Sequence, residues 1–109
     1  MIALIEDGKA EVQVDRIDVM SMDATMSMLL LPLMQTFRKY NQGFPAAPNA
    51  ADDPDGEAKW YAVLDEIIWA MDVTAKGTHY DWRLSDMALH ERRQAAFESF
   101  GKHFTSLWV

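Results

Sequence analysis

No cysteine occurs anywhere in the 109-residue chain. That excludes disulfide scaffolds, thiolate zinc sites and cysteine nucleophiles together. Glycine and proline are sparse, and they cluster between Gly43 and Gly56, where Pro45, Pro48 and Pro54 also fall. Long apolar runs are absent as well. The longest, Met28 to Met34, contains Pro32 and falls far short of the roughly 18 residues a membrane span needs. Glu6 and Asp7 follow the short apolar start, unlike the basic lead-in of a secretory signal. These absences lead us to expect a soluble chain, with no membrane association, that stays in the cell that makes it. Positive charge is scarce too, with ten Lys and Arg against seventeen Asp and Glu, a net charge of −7. Phosphate binding draws its strength from clustered Lys and Arg, so direct nucleic-acid binding is not expected.

Half of the residues are hydrophobic, which suits one folded domain over residues 1–109. Residues 1–19 read as a small β-ribbon. Ile2 to Ile5 is apolar, Asp7-Gly8 is a favoured two-residue hairpin turn, and Val12, Val14 and Ile17 continue a second strand. Two strands alone are marginal in water, so one face is expected to rest on helices. Residues 20–109 read as a three-helix bundle, with helices near 22–41, 57–75 and 85–107. The first has Ser21 at its N-cap, a stripe of Met26, Leu29, Leu30, Leu33 and Phe37, and an internal Pro32 that predicts a kink or a break. Residues 42–56 form a connecting loop that the composition predicts to be mobile. The second helix has the cleanest pattern, Trp60, Val63, Leu64, Ile67, Ile68 and Met71. The third follows an N-cap at Ser85 and presents Leu89, Ala96, Phe97, Phe100, Phe104 and Leu107. Gly101 borders that stripe, which suggests close approach of a neighbouring backbone.

Chemistry-bearing constellations are few. Asp65-Glu66 lacks a His three or four positions further on, which a helical metal site usually supplies. His90 and His103 are thirteen residues apart, about 220° around one helix, and His79 lies in a loop. There is no phosphate loop and no nucleophile elbow. We therefore expect no catalytic residue, metal or cofactor, and no enzyme. Arg93 lies in line with Leu89, Ala96 and Phe97, so its guanidinium needs a partner, and Glu66 is the expected one, as an inter-helix ion pair.

What remains points to protein binding. Asp52, Asp53, Asp55 and Glu57 form an acid-rich stretch that could complement a basic groove and make binding sensitive to salt. Met28 and Leu31 lie off the main stripe of the first helix, which is therefore apolar on more than one side. That helix is either central or offers a second face to a partner. Trp69, Trp82 and Trp108 lie off-stripe, in a loop and at the terminus, and tryptophans so placed are enriched at binding hot spots.

Three stretches carry a resemblance. They are DRIDVMSMDATMSMLLLPLMQTFRKYNQGFP (15–45), the helix Trp60-x-x-Val63-Leu64-Asp65-Glu66 (within 59–72), and Phe100-Gly101-Lys102-x-Phe104-x-x-Leu107-Trp108 (within 91–108). In this order they resemble a family of small tailed-bacteriophage proteins of unknown function. The resemblance implies a phage origin and residence in the host cytoplasm, and it assigns no activity. A small acidic phage domain without chemistry is expected to bind a host or phage protein, as an accessory or host-takeover (inhibitor-type) factor. The alternative is a structural or assembly protein that self-associates, for instance as a homodimer.

Overall fold

The computed structural model describes residues 1–41, 55–77 and 87–108. The expected mobile loop, the acids Asp52 and Asp53, Trp82, His79 and the Ser85 cap lie outside the described residues, apart from the last two positions of the loop.

The chain opens with an antiparallel hairpin of β1 (Ile2–Glu6) and β2 (Lys9–Gln13). Asp7 and Gly8 both have positive φ, 51° and 74°, as a type I′ turn requires, and this twist matches that of the strands it joins. The register runs from Glu6 opposite Lys9 to Ile2 opposite Gln13. The second strand ends earlier than expected, because α1 (Arg16–Met20) takes up Ile17. Asp15 begins that turn, its backbone N–H donating to Asp18 Oδ2 at 2.8 Å. Both strands are exposed along their whole length, so the expectation that one face rests on helices is not met.

After Ser21 the chain runs as α2 (Met22–Tyr40), α3 (Gly56–Ala75) and α4 (Met87–Lys102), followed by a single 3-10 turn at Phe104–Ser106. Helix α2 is one continuous helix through Pro32. The break suggested by sequence comes instead at Ser21, which stands at the N-cap without a side-chain capping bond.

Helix α3 is central. Trp60, Leu64, Ile67, Ala70, Met71 and Thr74 are buried on it, with Leu64, Ile67 and Met71 fully covered. Burial of each of those three large side chains is worth about 1.5–3 kcal/mol. From α2, Met34 joins this core with Leu30, Leu31 and Phe37 against it; from α4 and the C-terminal segment come Phe97, Phe100 and Leu107. Helices α2 and α4 each pack on α3, but they share no interface of comparable extent with each other. The chain is mainly helical with an N-terminal ribbon, and its helices form an open layer about α3 rather than a closed triangle.

Three stripe expectations need correction. The inward face of α2 is Ser27, Leu30, Leu31, Met34 and Phe37, while Met26, Leu29 and Leu33 are exposed. An all-round apolar helix cannot reveal its inner side by periodicity alone. Phe104 is exposed in the 3-10 turn, where it meets Phe100 edge to face. Among the described residues, a Cβ added at Gly101 would meet nothing within 4 Å, so none of their backbone approaches it.

Candidate interaction surface

Each flank of α3 receives one arginine, held in the same way. On the α4 side, Glu66 and Trp69 are three residues apart and so share a helix face. The Arg92 Nε donates to Glu66 Oε2 at 2.8 Å, and its guanidinium lies 3.8 Å from the centre of the Trp69 ring. On the α2 side, Tyr61 and Asp65 are four residues apart. The Arg38 Nε donates to Asp65 Oδ1 at 2.9 Å and stacks 4.2 Å over Tyr61. The Tyr61 hydroxyl in turn donates to the Asn41 carbonyl. The expected α3–α4 ion pair thus exists at Glu66, but its cation is Arg92 and not Arg93. Arg93 lies on the apolar stripe of α4 and is half-buried, whereas Arg92 is exposed beside it, so periodicity pointed to the wrong neighbour. The Glu66–Trp69 spacing was the available signal, because an aromatic face next to a carboxylate favours a planar guanidinium. The Arg92 hydrogen bonds hold the Glu66 carboxyl below the usual carboxylate range, against a smaller opposing effect of burial. Both side chains remain roughly half exposed, so this is a surface clasp between helices.

Among the described residues, the candidate binding side chains differ in burial. Leu31 packs against the core, and Trp69 is partly buried beneath Arg92. Met28 and Trp108 are exposed, and so are Asp55 and Glu57 at the start of α3.

The larger surface lies where sequence reasoning looked for packing. Among the described residues, fourteen of the eighteen exposed large hydrophobic side chains fall in the first 33 positions. Met22, Met26, Leu29 and Leu33 form an outward stripe on α2 at helical spacing, and Ile17 and Met20 on α1 are 75% and 72% exposed. In the hairpin, Ala3, Ile5, Ala10 and Val12 share one face, since directly paired residues point the same way. That face carries no polar side chain. The other holds Leu4, Glu6, Lys9 and Glu11 around a shallow recess with no nucleophile. The hairpin is tied to α1 by the N-terminal ammonium of Met1, which pairs with Asp18 at 3.2 Å. Hydrogen bonding from the Asp15 backbone, assisted by that ammonium, keeps the Asp18 carboxyl below the usual carboxylate range.

Monomers rarely leave so many large apolar side chains uncovered together, and such patches mark sites of association. Among the described residues, no three His, Asp or Glu side chains converge as a metal site would require, and no helix is long and apolar enough to cross a membrane. No family model, curated protein or solved structure matches the chain.

Proposed function

We propose that this chain is a phage-encoded, non-enzymatic protein-binding factor that acts in the host cytoplasm as an accessory or inhibitor-type protein. Its partner is a host or phage protein rather than nucleic acid. The observation that carries the binding reading is the apolar surface of the first 33 residues, where Ile5, Ile17 and Met20 stand more than two-thirds exposed beside the outer stripe of α2. The phage origin is supported by the three ordered sequence stretches alone. In this reading the helical layer about α3 is a rigid mount, a bundle left open on one side, and the N-terminal third is the part that engages. The acids Asp55 and Glu57, exposed at the head of α3, would add electrostatic steering.

The test is site-specific photo-crosslinking in bacterial cells that produce the chain. A photoreactive residue at Ile17 or Met20 should give adducts with an unlike protein, and one at Lys102, on the exposed side of α4, should not. If positions 17 and 20 yield no adduct with any other protein, the reading fails.

A second reading, a self-associating structural or assembly protein, is favoured by one specific feature. Among the described residues the outer edge of β1 is open, and it bears no charge between Ile2 and Ile5.

A further inference from the structure

We infer that β1 pairs with β1 of a second copy of this chain, antiparallel and centred on Leu4. The inference rests on the second reading above and is independent of any unlike partner.

The register follows from the hairpin. A two-residue turn requires its closing pair, Glu6 and Lys9, to exchange hydrogen bonds, and antiparallel pairs alternate from there. The main-chain groups of Leu4 and Ile2 therefore face β2, while those of Ala3 and Ile5 face outward from β1. Among the described residues the sheet has two strands, so the N–H and C=O groups of Ala3 and Ile5 form a free edge among them. If a second β1 is laid antiparallel with Leu4 opposite Leu4, Ala3 of each copy falls opposite Ile5 of the other. This register uses all the outward groups of both residues in both copies.

The two edges of the hairpin are not equivalent. Natural sheets guard exposed edges with charge, proline or bulges. β2 carries Lys9 and Glu11, and the equivalent self-pairing of β2 would set Glu11 against Glu11, which is destabilising. Ile2-Ala3-Leu4-Ile5 has no such guard. Pairing through β1 makes four strands, which meets the minimum of about three for an independently stable sheet. It also joins the apolar faces of Ala3, Ile5, Ala10 and Val12 from both copies into one.

Because the chain has no cysteine, one introduced thiol reads this geometry directly. In the inferred pairing, Leu4→Cys places two thiols at a non-hydrogen-bonded pair, where Cα atoms lie about 4.5 Å apart, within disulfide reach. With an added mild oxidant, the full-length Leu4→Cys chain should become a reducible dimer, and Glu11→Cys should remain monomeric. Sedimentation velocity over a broad concentration series should show the unmodified chain shifting from monomer to dimer. Ala3→Pro should abolish the shift, because it removes an outward N–H while an edge strand tolerates proline. Leu4→Lys should do the same by placing like charges opposite each other. Circular dichroism identifies a variant that has lost its helices. A chain that sediments as a monomer at every concentration overturns the pairing, as does a Leu4→Cys chain that does not cross-link. Neither result affects the binding of an unlike partner, which the photo-crosslinks at Ile17 and Met20 report separately.

Discussion

The hairpin with α1 and the core helix α3 are both rich in apolar side chains but use them in opposite ways. In α3, Leu64, Ile67 and Met71 are fully covered, with neighbours supplied from α2 and α4. In the hairpin and α1, Ile5, Ile17 and Met20 are 76%, 75% and 72% exposed. Hydrophobic residues stabilise a fold only where something covers them. The same composition therefore provides stability in one region and capacity for association in the other.

The sharpest way to break this contrast is to truncate one residue from each region. Leu64→Ala or Ile67→Ala should cost about 2–5 kcal/mol, because a fully buried side chain leaves a cavity. Ile17→Ala should change stability by no more than about 0.5 kcal/mol, as exposed substitutions do. Urea unfolding of dilute protein measures both. An Ile17→Ala cost comparable to that of Ile67→Ala would mean that the N-terminal third is packed in the monomer.

The next effect in size concerns the clasp that binds α4 to α3. Combining Arg92→Ala with Trp69→Ala in a double-mutant cycle should give a coupling of about 0.5–1 kcal/mol. Arg92→Lys should recover only part of it, since an ammonium neither forks onto a carboxylate nor stacks as a plane. Independence of the two substitutions would remove the stacking contribution.

Legibility in the sequence divides along the same boundary. Helix α3 was readable almost to the residue, because its apolar positions repeat at one spacing and its flanks carry Asp65 and Asp72 as markers of the polar side. The hairpin turn was readable because Asp7-Gly8 suits one turn type. The inner face of α2 was not readable, because residues 26–34 are apolar in nearly every direction. Nor was the exposure of the ribbon, since the argument that a hairpin must be covered cannot say what covers it. At the clasp, Glu66 was found and Arg92 missed for a local reason: Arg92 lies about 100° around the helix from the in-line Arg93 and reaches Glu66 from the exposed side.

Gly101 offers a smaller test. The space around its Cα is empty, and it lies within α4 near its end. Gly101→Ala should therefore stabilise the chain, by up to about 1 kcal/mol from helix propensity. A loss of stability would reveal a backbone contact made by neighbours of α4 beyond those described.

The smallest effect is the pH response of the clasp, and its sign is fixed. The Glu66 carboxyl is held below its ordinary range, chiefly by hydrogen bonds from Arg92. A group whose pKa is lower in the folded state contributes stability at pH values above its unfolded pKa, about 4.3 for Glu. That contribution is lost as the pH falls through the folded value. Both partners are about half exposed, so solvent and salt screen the pair and its contribution stays below about 1 kcal/mol. Urea midpoints for the unmodified chain and for Glu66→Gln, taken from about pH 7 to about pH 3, should differ at the neutral end and converge on acidification. Added salt should narrow the neutral gap without shifting the pH at which the curves meet by more than the screening of one exposed pair allows. Parallel curves would mean that Arg92 is held on α3 by the Trp69 ring alone. The α4 flank would then owe its docking to stacking and apolar contact, unlike the α2 flank, where Arg38 also bonds Asp65.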